Sequence, residues 1–184
     1  MRHIFILSLF FLSACSTSKK NTPHICDDFL KSTKARTIKG IHHCNSITIA
    51  NGVIIRLEEN NYNLITHVEV LQCPNSYKRY GDIGINGIII ETTKQVFNFT
   101  IPSNVDLPNP AAHKDKKKTY FLNGFLISND SLKISTKSIK RVEVLKSKKY
   151  FETQNDDGIA LVNIWTSTKK EVRKSLRKNN CSYK

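Results

Sequence analysis

The sequence lacks a long hydrophobic run and the short motifs of common enzyme classes. Its longest apolar stretch, Ile4 to Leu12, is too short for a permanent membrane-spanning helix, which needs about 20 residues. Neither the nucleophile-elbow motif of hydrolases nor the His-Glu-x-x-His motif of zinc proteases occurs. We therefore predict a protein that is not an enzyme, with no catalytic residues and with no bound metal or cofactor.

Acidic residues are also scarce. Lysine and arginine number 29 against 15 acidic residues, so the formal net charge is +14. A strongly basic chain suggests nucleic-acid binding, but the export signal described next argues against that partner. Two interpretations stay open for the basic runs at 114–118, 146–149 and 169–178: solvated lysines, or attraction to anionic headgroups or acidic glycans.

The N-terminus has the features of a bacterial export signal. Arg2 is followed by the apolar stretch and by two small residues, Ser13 and Ala14, as in a secretory signal. Leu-Ser-Ala-Cys resembles the lipobox of bacterial lipoproteins, in which the cysteine, here Cys15, is acylated (palmitate). We predict a signal peptide over residues 1–14, a tether with an N-terminal segment over 15–43, and an outer-membrane lipoprotein of the cell envelope. An ordinary secretion signal with a chance cysteine is the alternative.

Four further cysteines follow the predicted lipidation site: Cys26, Cys44, Cys73 and Cys181. An even number of cysteines in an exported chain suits disulfides, and three connectivities are possible. A zinc site is the competing interpretation. No pair has the close Cys-x-x-Cys spacing that zinc sites usually show, so disulfides are favoured.

The chain contains an internal repeat. Val-Glu-Val-Leu occurs at 68–71 and again at 142–145, and an Asn-Gly pair lies upstream of each copy, at Asn51-Gly52 and Asn123-Gly124. Asn-Gly between β-branched or apolar runs is typical of a two-residue β-hairpin turn. A repeated pattern indicates one folding unit used twice.

The repeat predicts an α+β fold made of two tandem small mixed β-sheet units with short helices. Predicted elements of the first unit are a hairpin at 46–56, a strand at 66–72, a helix at 74–80 and a strand at 84–92. Those of the second are a hairpin at 119–128 and strands at 140–146 and 158–166, followed by a helix at 169–178. The predicted divisions are repeat 1 at 44–101, a Pro/Lys-rich linker at 102–118, repeat 2 at 119–169 and a basic tail at 170–184.

The first unit resembles the plug domain of TonB-dependent outer-membrane receptors, in the form common among Bacteroidetes. The family has a Val-Leu strand, a short helix, Tyr-Gly, a glycine turn with Asn-Gly, and an apolar strand ending in Thr-Thr-Lys. The matching residues are Val70-Leu71, Tyr80-Gly81, Gly84, Asn86-Gly87, Ile88 to Ile90 and Thr92 to Lys94. The resemblance implies a plug fold in this unit.

The second unit keeps the strands of this pattern and loses its turn. Gln154 and Asn155 replace the Tyr-Gly pair, Ala160 and Leu161 replace the Asn-Gly pair, and only Gly158 remains of the turn. A receptor also needs a large closed barrel, which residues 170–184 are too few to supply. The resemblance therefore implies a fold and does not imply nutrient transport.

These observations predict a non-catalytic, membrane-anchored lipoprotein that acts as a binding or scaffolding module of the cell envelope. A sheet with an exposed edge can accept a strand from a partner, so an envelope protein is the expected partner. The nature of any small-molecule ligand stays open. One alternative is a basic surface module that contacts anionic lipid or glycan. In another, the two repeats pack on each other and leave little binding surface.

Overall fold

A computed structural model describes residues 46–145 and 158–178. The predicted signal peptide and tether, the predicted lipidation site Cys15, and Cys26, Cys44 and Cys181 lie outside these residues. The replaced turn positions 154 and 155 also lie outside them. Within the described part of the chain, no helix is both long and apolar enough to cross a membrane.

The structure has an α+β fold, and its described residues form ten strands in two mixed sheets and a few short helices. The strands are β1 (Ile47–Ala50), β2 (Val53–Ile55), β3 (Ile65–Leu71), β4 (Ile88–Thr93), β5 (Phe99–Thr100), β6 (Lys117–Leu122), β7 (Phe125–Leu126), β8 (Lys133–Ser135), β9 (Arg141–Leu145) and β10 (Ile159–Trp165). In the described part of the chain the α-helices are α1 (Asn75–Tyr80) and α2 (Lys169–Lys178). Short 3-10 turns span Leu57–Glu59, Tyr62–Leu64, Gly81–Gly84, Pro102–Asn104 and Pro110–His113.

The two repeats have the same strand order. In the first, the order is β3-β4-β1-β2, and in the second it is β9-β10-β6-β7. Each hairpin is antiparallel, each hairpin's first strand runs parallel to the closing strand, and each Val-Glu-Val-Leu strand runs antiparallel to it. The predicted pair of similar units is therefore confirmed at the level of strand order and direction.

An asparagine at the equivalent position of each hairpin turn bonds to the end of the closing strand of its unit. Asn51 and Asn123 adopt left-handed backbone conformations, with φ of 49° and 52°, as a two-residue hairpin turn requires. The Asn51 side chain accepts from the Thr93 N–H at 3.1 Å and donates to the Thr93 carbonyl at 2.7 Å. The Asn123 side chain accepts from the Thr166 N–H at 2.9 Å and donates to the Thr166 hydroxyl at 2.8 Å. Both clamps tie the hairpin turn to the end of the closing strand.

The two units pack on one another through non-equivalent faces of their sheets. Val142 and Val144 of the second unit pack against the core that both sheets share, whereas their equivalents Val68 and Val70 are 49% and 61% exposed. Leu71 shows the opposite relation, because it packs against the shared core while its equivalent in β9 packs on the far side of the second sheet. The sheets therefore present opposite faces to their common core, and the packing of the two repeats on each other is established.

Two additional strands extend the first sheet to six. β8 follows the second hairpin in the chain but pairs in parallel with β2 of the first unit, and β5 pairs antiparallel with β8. Ile134 of β8 is fully buried in the shared core. Sequence reasoning missed this crossing, which ties the second repeat to the first sheet.

The segment between the repeats also contributes to packing. Val105 and Leu107, within the stretch predicted as a linker, pack against the shared core, and Pro102 is buried. β6 begins at Lys117, two residues earlier than the predicted hairpin. The path between the repeats is therefore held against the folded body.

The turn glycines of the first unit have structural roles. A Cβ on Gly84 would overlap the carbonyl oxygen of Ser76, and Gly81 and Gly87 have φ of 65° and 86°. Because Gly81–Gly84 forms a 3-10 turn, β4 begins at Ile88 rather than at the predicted Gly84.

Candidate functional site

A groove of about 620 Å³ runs along the edge of β9 that faces away from β10. All five residues of β9 line the groove, although consecutive side chains of a strand point to opposite faces of the sheet. Helix α2 supplies Lys169, Val172 and Arg173, and Pro108 and Trp165 complete the lining. A cavity lined by both faces of one strand must lie along the edge of that strand.

β9 is the terminal strand of the four-stranded sheet, and β10 is its one partner among the described residues. In an antiparallel edge strand, alternate backbone N–H and C=O groups point away from the neighbouring strand. Residues 146–157, which follow β9, lie outside the described part of the chain. The groove thus adjoins a row of main-chain donors and acceptors.

The beginning of β9 is held by a stacked aromatic and an ion pair. The Arg141 guanidinium lies 4.8 Å from the centroid of the Trp165 ring, and Trp165 is 2% exposed. Glu143 binds both, since its carboxylate accepts from Trp165 Nε1 at 3.0 Å and lies 3.0 Å from Arg141 Nε. Within the described residues, Arg141 Nη1 is buried without a hydrogen-bond partner. The Arg141 side chain is therefore held in place by its contacts with the Trp165 ring and the Glu143 carboxylate.

Helix α2, which forms the other wall, begins with a capping box. The Thr168 hydroxyl accepts from the Glu171 N–H at 3.3 Å, and the Glu171 carboxylate accepts from the Thr168 N–H at 2.7 Å. Arg56, from the segment after β2, donates to the same carboxylate at 2.8 Å. These bonds fix the first turn of α2 relative to both sheets.

The ionisable side chains near the start of α2 form hydrogen-bonded pairs, and these contacts change their pKa values. The hydrogen bonds that the Arg56 guanidinium donates to the Glu58 carboxylate raise the pKa of Arg56 and lower the pKa of Glu58. Burial opposes ionisation of Glu171, but hydrogen bonds from Thr168 and the charge of Arg56 outweigh it and lower the Glu171 pKa. The carboxylates that anchor α2 are therefore ionised at neutral pH.

The groove itself carries a positive charge. Its lining contains three cationic side chains, Arg141, Lys169 and Arg173, against one carboxylate, Glu143. Both oxygens of that carboxylate are already engaged by the tryptophan and the arginine. Lys169 and Arg173 are exposed on α2, and no ion pair between the described residues uses either side chain. The arrangement can attract an acidic ligand.

The predicted motif residues lie away from this groove. Asn51, Gly52, Asn123 and Gly124 form the hairpin turns, and Gly158 precedes β10, where its carbonyl accepts from the Lys117 N–H at 3.0 Å. Tyr80, Gly81, Gly84, Asn86 and Gly87 form the end of α1 and the turns before β4. These residues build the scaffold, and none of them lines the groove.

Of the four cysteines predicted to form disulfides, only Cys73 lies in the described part of the chain. Cys73 is disulfide-bonded. The pairing stays a prediction, because Cys26, Cys44 and Cys181 lie outside that part. The described residues contain no group of three or more His, Cys, Asp or Glu side chains that could hold a metal ion.

Sequence reasoning missed the groove residues on α2 and at Trp165. One signal was present: Thr168 followed three residues later by Glu171 marks the start of a helix, with cationic side chains immediately around it. The meeting of this helix with an edge strand depends on tertiary structure.

Comparison of the chain with protein-family models, with curated proteins and with solved structures gave no match. The resemblance of residues 70–94 to the plug domain of TonB-dependent receptors therefore stays a prediction from the sequence.

Proposed function

We propose that this chain is a non-catalytic binding module of the bacterial cell envelope, anchored by a lipid on Cys15. Its β9 groove captures an extended, acidic segment of an envelope protein. The observation that carries the proposal is the outer edge of β9, which no strand among the described residues pairs with and which a groove with a cationic wall lines along its whole length.

The main chain supplies sequence-independent binding. A segment that adds as a fifth strand would pair with the outward N–H and C=O groups of β9, each hydrogen bond contributing about 1 kcal/mol net. A strand added at this edge would lie about 4.8 Å from β9, as neighbouring strands of a sheet do. Strand addition would also cover an edge that is otherwise open to association with other chains.

The side chains supply selectivity. Lys169 and Arg173 project from α2, one helical turn apart, and would contact acidic side chains on the helix side of the bound segment. Val172 lies between them and offers an apolar contact. Exposed ion pairs contribute about 0.2–1 kcal/mol each, so the charges select among extended segments more than they hold them.

The experiment uses the full chain in its native membrane, with a photoreactive amino acid in place of Val172. We expect cross-linking to an extended acidic stretch of a single envelope protein, identified by mass spectrometry of the joined peptides. The double variant Lys169→Glu, Arg173→Glu should lose this cross-link, while the matched variant Lys170→Glu, Lys174→Glu should keep it. The matched pair removes the same charge from the same helix but from outside the groove lining.

Three results would contradict the proposal. Equal loss of cross-linking in both double variants would point to net charge rather than to the groove. Cross-linking only to lipid or glycan, abolished by about 0.5 M salt, would favour a basic surface module instead. A Cys15→Ser variant that stays in the membrane fraction would refute the lipid anchor.

A further inference from the structure

A second cavity, of about 420 Å³, lies where the two repeats meet. One side is formed by the first hairpin turn at Gly52 and by Arg79, Tyr80, Gly81 and Ile83 at the end of α1 and in the following turn. The other side is formed by residues 127–129 and 131–133, which lead from the second hairpin into β8. The cavity shares no lining residue with the β9 groove.

The base of the cavity is apolar and fixed. Ile83 and Ile127 are buried in the shared core, and Leu132 packs against that core. Two of the walls are glycines in positive-φ conformations, Gly52 and Gly81. A Cβ on Gly81 would lie 3.4 Å from the Ser128 hydroxyl, so the absence of side chains at these positions keeps the cavity open.

The rim is polar and cationic. Arg79 and Lys133 line it, and no acidic residue does. The nearest ion-pair contact of Arg79 is a Glu69 oxygen at 3.9 Å, and its side chain is 58% exposed. The Lys133 ammonium lies 4.6 Å from the centroid of the Phe99 ring. Among residues 46–145 and 158–178, neither cation is therefore held in a short ion pair.

Neutral hydrogen-bonding groups complete the rim. The Asn129 side-chain oxygen accepts from the Ser131 N–H at 2.9 Å and from the Ser131 hydroxyl at 2.6 Å, which fixes the Asn129 side chain. Within the described residues its amide nitrogen makes no hydrogen bond. The Ser128 hydroxyl also lines the cavity. The rim thus offers both donors and acceptors beside the two cations.

We infer that this cavity binds a small hydroxylated organic anion of about monosaccharide size, a sugar carboxylate or a sugar phosphate. The anionic group pairs with Arg79 and Lys133, and hydroxyls bond to Ser128 and Asn129. The C–H face of the ligand packs on the isoleucine base. The volume falls in the range of small-molecule sites, roughly 300–1,000 Å³, and the mixture of apolar base and polar rim suits such a ligand better than a purely apolar one.

The test titrates the full-length protein with glucuronate, glucose 6-phosphate and neutral glucose, followed by amide chemical shifts. We expect shifts at residues 79–83 and 127–133 with at least one of the two anions at millimolar concentration, and much weaker binding of glucose. Comparison of the two anions distinguishes a carboxylate from a phosphate ligand.

Variants locate the binding. Arg79→Ala and Lys133→Ala should each weaken anion binding about fivefold, while Lys78→Ala, an exposed lysine on the same helix outside the cavity, should leave it unchanged. The Lys169→Glu, Arg173→Glu variant of the groove should also bind normally, so failure here is distinguishable from failure of the proposed function. Absence of binding by both anions, equal binding of glucose, or an equal loss in Lys78→Ala would overturn the inference.

Discussion

Removal of the Asn123 side chain should destabilise the protein by about 3 kcal/mol. The residue is 5% exposed and makes two side-chain hydrogen bonds to Thr166, each worth about 1 kcal/mol. Alanine also tolerates the left-handed conformation less well than asparagine, whose polar side chain can hydrogen-bond locally, at a cost of about 1 kcal/mol more. In a chain of this size the melting temperature should fall by roughly 6–12 °C.

Two further variants separate these contributions. Asn123→Gly loses the hydrogen bonds but tolerates the backbone, so we expect a loss of about 2 kcal/mol, smaller than that of Asn123→Ala. A double-mutant cycle of Asn123→Gly with Thr166→Val should give a coupling energy of about 1 kcal/mol. Urea denaturation measures all three values. A loss below about 1 kcal/mol for Asn123→Ala, or zero coupling, would refute the clamp as a source of stability.

Two other predictions concern the equivalent valines of β3 and β9, and the buried Glu91 of β4. Val70→Ala should lower the free energy of unfolding by less than about 0.5 kcal/mol, and Val144→Ala should lower it by about 1 kcal/mol, because only Val144 packs on the shared core. Equal losses in urea denaturation would contradict this packing of the two sheets. Burial raises the pKa of Glu91, whose carboxylate accepts a hydrogen bond from the Asn60 side chain. Stability should therefore fall as pH rises from the ordinary glutamate range through this raised pKa, and Glu91→Gln should remove that part of the pH dependence. A parallel pH profile of the variant and the wild type would show that Glu91 is not responsible.

The local structure could be predicted where single residues dictate it. Asn51-Gly52 and Asn123-Gly124 specify hairpin turns because both positions need positive φ. The ends of α2 coincide with the prediction, because Thr168 and the charged, helix-favouring residues after it fix its start. Strand β4 was predicted to start four residues too early, because the glycines before it form a 3-10 turn.

The tertiary arrangement could not be predicted from the same pattern. Val70 and Val144 are identical residues in identical tetrapeptides, yet one is exposed and the other packs on the core. Which face of each sheet is covered depends on where the other unit lies, and local alternation carries no information about that position. The pairing of β8 with β2 and the meeting of α2 with β9 are similarly long-range, so the groove could not be located from the sequence.

Amide hydrogen exchange along β9 tests the central proposal most directly. The segment captured through Val172, prepared as a synthetic peptide, would be added to the full-length protein and exchange followed residue by residue. We predict slower exchange at alternate β9 amides, those that point away from β10, with no change along the equivalent edge strand β3. Uniform protection of both strands, or protection confined to α2, would contradict strand addition at the β9 edge.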